Sequence, residues 1–305
     1  MIEKKVMLII NPRSGRNKAR NGIIDLASVF GSNGYIASVF TTTGIGDATQ
    51  YALKYAADYD LVVCRGGDGT FSEMLNGLMQ LDSIPPVGFI PAGTTNDLAA
   101  TLELPLNAKL AANIVLGNRY FYNDIGRFGN SRYFTYCAVF GAFSESSYAT
   151  PQNIKNKIGR LAYFYEATKE IKKIKPIPLR VECDDFTEEA EYVMGSVTNS
   201  YSVGKIIKFS EKEVTLNDGL FEVFLSRDPV TVTAWKDLLY SVAVRKFDKR
   251  YIRVIKTKHV KITPLDGREI PWSLDGEFGG NNGVVDISVI QKAYRIFSNK
   301  TTGIN

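Results

Sequence analysis

The first 120 residues alternate short apolar runs with stretches of helical spacing, and no other feature constrains the fold as strongly. The runs at 6–11, 35–40, 60–64 and 87–91 are brief and rich in β-branched residues, as strands buried on both faces are. Between them, hydrophobic residues recur at helical intervals. A repeated strand-helix order predicts a parallel sheet with helices on both faces, whose ligands bind beyond the carboxyl ends of the strands.

The sequence changes character after about residue 123. Short strand-like runs separated by turn residues replace the alternating pattern, and helical stretches near 153–174 and 231–246 interrupt them. This half is predicted to form an antiparallel, sandwich-like β-domain. In 305 residues we therefore expect two domains, an α/β domain at 1–123 and a β-domain at 124–292. The strand-like runs are SRYFTYCAVFGAF, PLRVEC, AEYVMGSVTN, GLFEVFLS, IRVI and HVKIT.

Cysteine content and hydropathy limit the setting of the protein. The three cysteines, Cys64, Cys137 and Cys183, are widely spaced, so neither a disulfide framework nor a CxxC metal site is expected. The first apolar run is about six residues long, too short for a signal-peptide core, and no segment reaches the roughly 18 apolar residues of a spanning helix. We expect a cytoplasmic protein that is at most peripheral to a membrane.

The net charge of +5 is unevenly distributed. Residues 1–123 contain ten Lys/Arg and ten Asp/Glu, so the second half carries the whole excess, and residues 244–261 alone hold eight Lys/Arg against one Asp. Such a run is either a solvated face or a contact with an anionic partner. No zinc finger, RNA-binding aromatic signature or basic heptad helix accompanies it, so an anionic lipid surface is a better candidate partner than nucleic acid.

The stretch RGGDGTFSEMLNGL, residues 65–78, begins directly after the third apolar run. Apolar residues at helical spacing, with Thr70 and Glu73 as a capping box, predict a helix that starts near Thr70. A glycine turn that leads into a helix N-terminus favours anions, because its N–H groups are free and the helix dipole attracts negative charge. Asp68 in this turn would repel a phosphate unless a cation such as Mg²⁺ lies between them. The turn indicates a metal-nucleotide site, with a purely structural turn as the alternative.

Two further acids follow later apolar runs. Asp97 in IPAGTTNDLA comes after the fourth run, and an N-cap role alone would explain its presence. A second acid at the same sheet edge is the preferred interpretation. Asp124 in YNDIGR ends the last strand-like run of the first domain, and taken alone it is more typical of a turn.

A carboxylate is the expected general base. The single histidine, His259, lies in the basic run KTKHVKIT with no nearby nucleophile, so Ser-His-Asp and Cys-His mechanisms are disfavoured. Glu277 is the best-placed carboxylate, because it stands with Asp275 in the glycine-rich stretch SLDGEFGG. A hairpin turn with exposed acids is the alternative interpretation of that stretch.

Three motifs, GGDGTFSEMLNGL, PAGTTNDLA and LDGEFGG, occur in this order with NPRSG ahead of them. In this combination the chain resembles the soluble bacterial diacylglycerol kinases, members of a lipid kinase superfamily that includes sphingosine and ceramide kinases. The resemblance covers nearly the whole chain, from residue 11 to residue 280. GGDG alone is less specific, because NAD kinases and phosphofructokinases have similar turns.

The resemblance implies a Rossmann-like nucleotide domain, an antiparallel β-sandwich domain, and ATP bound in the cleft between them. It implies that Asp68, Asp97 and Asp124 organise a catalytic Mg²⁺ through water and that Glu277 takes the proton from a lipid hydroxyl. The chain end, 293–305, is implied to return to the nucleotide domain. The implied nucleotide contacts are Asn11, Pro12, Arg13, Ser14, Gly15, Arg16, Thr42, Gly66, Gly67, Gly69, Thr70, Glu73 and Thr94. The implied ligands of a structural Mg²⁺ are Thr215 and Leu220 through backbone carbonyls and Asp218 through its carboxylate.

The chain departs from the family pattern near the nucleotide. Phe71 and Ser72 stand where the family commonly has Leu and Asn, and Arg16 stands where a lysine is frequent. An arginine pairs with phosphate in a different geometry from a lysine. All the core acids are retained, which favours an active kinase.

We therefore expect an ATP-dependent lipid kinase that phosphorylates diacylglycerol to phosphatidic acid at the cytoplasmic face of the membrane. Basic residues near 153–175 and at 244–261 are expected to attract it to anionic lipid. A kinase of another lipid alcohol such as a sphingoid base or undecaprenol, an NAD kinase, and a non-catalytic nucleotide or lipid sensor are the alternatives. Oligomeric state is left open, with a homodimer as one option.

Overall fold

A computed structural model of the chain describes most of its residues. The described ranges are 3–17, 22–94, 96–117, 119–142, 174–203, 207–209 and 214–301. The predicted helix at 153–174, with its basic residues, lies outside them apart from its last residue.

The first half of the chain forms the predicted parallel sheet. Its four strands follow the spatial order β4-β3-β1-β2, and all three pairings are parallel. The elements of this half are β1 (Lys4–Ile10), α1 (Ser14–Asn17), α2 (Ile23–Ser32), β2 (Tyr35–Thr41), α3 (Asp47–Tyr55), a short 3-10 helix (Ala56–Asp58), β3 (Leu61–Gly66), α4 (Asp68–Leu78), β4 (Val87–Pro91), α5 (Asp97–Thr101) and α6 (Ala108–Leu116).

Strand β1 shows why this sheet is covered on both faces. Its side chains alternate between two hydrophobic cores, because successive residues of a strand point to opposite faces. Met7 and Ile9 join the core beneath α3 and α4, whereas Val6 and Leu8 join the core beneath α2 and α6. A strand buried on both faces must be apolar throughout, as the sequence VMLII is.

The second half is predominantly antiparallel, as predicted. Its core is rich in aromatic and β-branched side chains, with Trp272 packed edge-to-face against Phe128. The elements are β5 (Tyr120–Phe128), β6 (Arg132–Phe134), β7 (Cys137–Gly141), β8 (Ile177–Cys183), β9 (Phe186–Thr198), β10 (Ser202–Val203), β11 (Ile207–Lys208), β12 (Phe221–Arg227), α7 (Val232–Ala243), β13 (Ile252–Thr257), β14 (His259–Pro264), β15 (Ile270–Leu274), β16 (Glu277–Asn282) and β17 (Val285–Phe297).

The two halves share one hydrogen-bonded sheet. Fifteen of the described strands belong to it, along the path β16-β15-β7-β9-β8-β14-β17-β4-β3-β1-β2 with four strands branching off. The connection is β17, which pairs with β14 and β5 and then reaches β4 through Ile296 and Val87. The last strand of the described residues is therefore hydrogen-bonded to the parallel sheet. The domain division at residue 123 stays a prediction, and β5 spans that position.

The described part of the chain contains no helix long and apolar enough to cross a membrane. The three cysteines are free, and Cys64 and Cys137 are buried.

Candidate active site

The loops that follow β1, β3 and β4 meet at the carboxyl edge of the parallel sheet. The Asn11 N–H donates to the Arg65 carbonyl (3.0 Å), and the Ala92 N–H donates to the Gly66 carbonyl (2.7 Å). The side-chain amide of Asn11 also donates to Thr70 Oγ1 (3.0 Å). Three segments far apart in sequence are thus fixed to one another by their own polar groups.

Glycines allow these loops to pack backbone against backbone. Gly15 has a φ of 57°, and a Cβ there would lie 2.0 Å from the Ala92 carbonyl oxygen. A Cβ on Gly93 would lie 2.6 Å from the Gly67 Cα. Larger residues would force the loops apart, so this close packing requires glycine at both positions.

Helix α4 begins at Asp68, two residues earlier than predicted. The expected capping box of Thr70 and Glu73 is wrong, because both residues already lie inside the helix and Thr70 Oγ1 accepts from Asn11 instead. Gly67 occupies the N-cap position and has no side chain to cover the first turn. The positive end of the helix dipole therefore faces the glycine loops, a position that stabilises negative charge.

Asp68 and Asp97 come together at this edge. Asp68 accepts the N–H groups of the first two residues of α5, from Asp97 to Oδ2 (3.1 Å) and from Leu98 to Oδ1 (3.2 Å). Asn96 is the N-cap residue of α5, in a left-handed conformation, so the N-cap alternative for Asp97 is wrong. Burial raises the pKa of Asp68 to about 6, although the two N–H donors lower it. The charges of Asp97 and Asp275 raise the pKa further.

Glu277 reaches this edge from the other half of the chain. It opens β16, and its carboxylate lies directly on Gly69, the second residue of α4; a Cβ on Gly69 would be 1.9 Å from Glu277 Oε1. Glu277 as a whole is exposed, but desolvation of its carboxylate against α4 raises its pKa, as do the charges of Glu73 and Asp275, while Arg132 lowers it. A carboxylate with a raised pKa beside the glycine loops is better suited to accept a proton near neutral pH than an unperturbed one.

Asp124 is held by a different set of contacts. This fully buried carboxylate accepts the Gly219 N–H at Oδ2 (2.7 Å) and the Lys292 N–H at Oδ1 (2.6 Å). Burial raises the pKa of Asp124, opposed by these donors. Both donors belong to the second half of the chain, so these contacts join Asp124 to β17 and the loop before β12.

The remaining predicted nucleotide residues lie at or next to the same edge. Thr42 is buried directly after β2, where its N–H donates to the Ile10 carbonyl (2.9 Å). Arg13 and Thr94 are exposed, whereas Pro12 and Ser14 are half-buried. The side chain of Arg16 lies outside the described part of the chain.

A buried acid that the sequence interpretation missed, Glu222, lies on β12 directly after the predicted structural metal loop. Asp218 Oδ1 accepts the Leu220 N–H (3.1 Å), and Lys256 Nζ lies 3.8 Å from Asp218 Oδ2. Glu222 is 1% exposed, and burial raises its pKa to about 8, against the Lys256 ammonium 3.4 Å from its Oε1. Thr215 is half-buried. No group of three or more His, Cys, Asp or Glu side chains suited to a metal occurs within the described ranges.

Asp275 is the second residue whose place the sequence interpretation missed. It was noted only as the neighbour of Glu277 in an acidic turn, yet it is 3% exposed and accepts the Ser72 hydroxyl (2.8 Å). A signal for Glu222 existed, because it is the single acid in the otherwise apolar run GLFEVFL. No comparable signal exists for Asp275, since its partners are 138 to 203 residues away.

His259 pairs with Asp286 (3.0 Å) at the surface.

The sequence matches family models and curated proteins along most of its length. A family model described as diacylglycerol kinase catalytic domain matches residues 5–127, and one described as YegS C-terminal NAD kinase beta sandwich-like domain matches residues 143–298. A diacylglycerol kinase of Bacillus subtilis is 32% identical over 279 residues, 91% of each chain. One of Staphylococcus epidermidis is 30% identical over 92% of this chain and 87% of its own.

A solved structure has the same fold. It is a candidate diacylglycerol kinase from Bacillus anthracis, 25% identical, with a TM-score of 0.80 over 97% of this chain and 95% of its own.

The parallel sheet with its glycine loops and the antiparallel half that contributes Glu277 define a lipid kinase fold. The match covers both halves of the chain, at 32% identity to one relative over nine-tenths of the sequence. The chain belongs to the diacylglycerol kinase family.

Proposed function

We propose that the protein transfers the γ-phosphoryl group of ATP to the free hydroxyl of diacylglycerol, giving phosphatidic acid and ADP. The position of Glu277 carries this proposal. Its carboxylate, from the second half of the chain, touches Gly69 in the first turn of α4, beside the glycine loops that are suited to phosphate. An acceptor hydroxyl beside this carboxylate would have the base on one side and the γ-phosphate on the other.

The glycine loops and the start of α4 are the proposed binding site for the ATP phosphates. Backbone N–H groups supply donors there, and the glycines let the phosphates approach closely. The loops are already fixed by contacts such as Asn11 to Thr70 and Ala92 to Gly66, so little ordering is required when ATP binds.

Asp68 and Asp97 are the proposed residues for a catalytic Mg²⁺. The fit rests on two carboxylates that crowd one sheet edge beside the phosphate turn, where burial and mutual repulsion disfavour ionised acids without a cation. Mg²⁺ commonly binds through one or two carboxylates and phosphate oxygens, and it would neutralise charge on the transferred group. Asp124, held by Gly219 and Lys292, would support this network only indirectly.

Glu277 is the proposed general base. The hydroxyl oxygen of the lipid forms a bond to the γ-phosphorus as its proton moves to the Glu277 carboxylate, and the bond from the γ-phosphorus to the bridging oxygen breaks to release ADP. The raised pKa of Glu277 brings its proton affinity closer to that needed at neutral pH.

The proposed setting is the cytoplasmic face of a membrane, where the lipid substrate resides. Exposed cations at Arg245, Lys246 and Lys249 follow α7, whose outer face carries the exposed Val232 and Tyr240. Apolar side chains beside cations suit an anionic lipid surface.

Transfer of labelled phosphate from ATP to a panel of acceptors tests this proposal. The panel is diacylglycerol, ceramide, sphingosine, undecaprenol and NAD, and we expect transfer to diacylglycerol. Glu277→Gln should reduce transfer at least about 100-fold while ATP still binds, because general-base catalysis contributes 10²–10⁴-fold. Glu269→Gln, at an exposed glutamate, is the matched control. Transfer to none of the lipids, or to NAD alone, would exclude the proposed activity.

A further inference from the structure

Asp275 is an acid buried at the boundary between the two halves of the chain. Its side chain accepts five hydrogen bonds. They come from Ser72 Oγ (2.8 Å), Thr135 N–H (2.7 Å) and Thr135 Oγ1 (2.9 Å), and, on the other oxygen, from the N–H groups of Tyr136 (2.9 Å) and Cys137 (3.1 Å). A buried carboxylate is tolerated only when donors surround it in this way.

The backbone at Asp275 is constrained as well. Asp275 has a φ of 51° and Gly276 a φ of 83°, so two successive residues adopt the left-handed conformation that turns β15 into β16. The left-handed region is disfavoured for a non-glycine residue, although Asp tolerates it better than most. The Asp275 N–H donates to the Cys137 carbonyl (2.9 Å) and fixes the same turn from its other side. Glu277 is the first residue after this turn.

One face of α4 contacts both acids. Gly69, which touches Glu277, and Ser72, which donates to Asp275, are three residues apart, and residues at this spacing lie on the same helical face. The Ser72–Asp275 hydrogen bond is therefore about one helical turn from the contact between Glu277 and the phosphate turn. Any movement of Asp275 relative to α4 would change the position of Glu277 over Gly69.

We propose that Asp275 is a positioning residue for the phosphoryl transfer: it anchors the β15–β16 turn to Ser72 of α4 and so holds Glu277 against the start of that helix. The inference rests on the proposed function for its catalytic meaning. Asp275 is too enclosed by protein donors to act on the substrate itself.

The pH dependence of activity provides a second measurement, because charged groups around Glu277 shift its pKa. A residue that only stabilised the fold would not change this dependence. The groups that shift the pKa of Glu277 are Glu73 on α4, Asp275 on its own turn and Arg132 on β6. Both acids raise the pKa and Arg132 lowers it, beyond the effect of burial. Activity should fall as the pH drops through the pKa of Glu277, because the base must be ionised. Removing the charge of Asp275 should move this acid limb to lower pH.

Three variants separate positioning from stability. Asp275→Asn removes the charge and places an amide group opposite N–H and O–H donors. We expect kcat to fall at least about 100-fold, since misplacement of the Glu277 carboxylate by about 1 Å can cost that much. The KM for ATP should stay within threefold. Ser72→Ala removes only the link to α4 and should lower kcat about tenfold without moving the acid limb. Thr135→Val keeps the backbone donor and the link, so its kcat should stay within threefold. All rates are measured well below the lowest thermal midpoint of the set.

The acid limb of the Asp275→Asn profile should lie at lower pH than in the unmodified protein. Equal losses in Ser72→Ala and Thr135→Val, or an unmoved acid limb in Asp275→Asn, would overturn the inference. If the unmodified protein phosphorylates no lipid, the proposed function fails, and hydrogen exchange of residues 68–73 and 275–282 tests the anchor by itself. Exchange should rise in Asp275→Asn and Ser72→Ala but not in Thr135→Val, and equal exchange in all three would refute the anchor.

Discussion

Gly69 is one of the residues at which the two halves of the candidate site touch. In Gly69→Ala the new Cβ would lie 1.9 Å from Glu277 Oε1, so the carboxylate must move. We expect kcat to fall at least about tenfold, because general bases tolerate little displacement. Gly31→Ala is the matched control: it is also helical, and its added Cβ meets nothing within 4 Å. Steady-state phosphoryl transfer by both variants tests this, and equal rates would contradict the close contact.

Asp68 gives the metal-free protein a predictable pH dependence. Its pKa is raised from the ordinary 3.8 to about 6 in the folded state, so protonation favours folding. The stabilisation is complete below pH 3.8 and is lost as the pH rises through about 6. Asp68→Asn should remove about 1–2 kcal/mol of this dependence, a value reduced because the residue is partly exposed. Urea unfolding of both proteins between pH 4 and 7 measures it, and parallel profiles would count against the raised pKa.

At the scale of elements, Asp124 joins β17 to the loop before β12. Asp124→Ala leaves the buried N–H groups of Gly219 and Lys292 without this acceptor, so we expect the free energy of unfolding to fall by about 2–4 kcal/mol. Asp286→Ala provides the control, because Asp286 is an exposed acid on β17 itself that pairs with His259. Denaturant titrations should separate the two variants. A similar small effect in both would show that the buried contacts contribute little.

A second cation site, predicted in the loop that contains Asp218, can be tested without an activity assay. A ligand that binds only the folded state raises the thermal midpoint, so Mg²⁺ without nucleotide should stabilise the unmodified protein. Asp218→Asn should abolish this increase, because it removes the predicted carboxylate ligand, whereas Asp68→Asn should retain it. Thermal unfolding across a Mg²⁺ series distinguishes the sites. An increase that persists in Asp218→Asn and disappears in Asp68→Asn would assign the effect to the site at Asp68 instead.

Elements with a strong local pattern could be predicted from the sequence. The parallel strands, the antiparallel strands and a helix at the GGDGT turn were all confirmed, because apolar periodicity and glycine turns act over a few residues. The prediction of a capping box at Thr70 was wrong because the threonine hydroxyl instead accepts a hydrogen bond from the side chain of Asn11, which is distant in sequence. Asp275 and Ser72 could not be paired from sequence, since their hydrogen bond depends on how two halves of the chain dock.

At the scale of the whole molecule, charge and apolar exposure coincide on one side of the second half. Val232 and Tyr240 are 65% and 66% exposed on the outer face of α7, and Arg245, Lys246 and Lys249 follow it. The opposite face of the helix, with Trp235 and Leu238, is buried in the core. An amphipathic helix with exposed apolar residues and neighbouring cations is suited to bind a lipid surface. Such binding would bring the candidate active site close to a lipid substrate.

Cosedimentation with vesicles containing anionic phospholipid tests this orientation. Each cation near the surface contributes about 1 kcal/mol, so reversing Arg245, Lys246 and Lys249 to Glu should weaken binding by at least about 100-fold at low salt and reduce its salt dependence. Reversing Lys54, Lys109 and Arg119, exposed cations of the first half, changes the net charge equally. If both triple variants lose binding to the same extent, attraction follows net charge alone and no particular face of the protein meets the membrane.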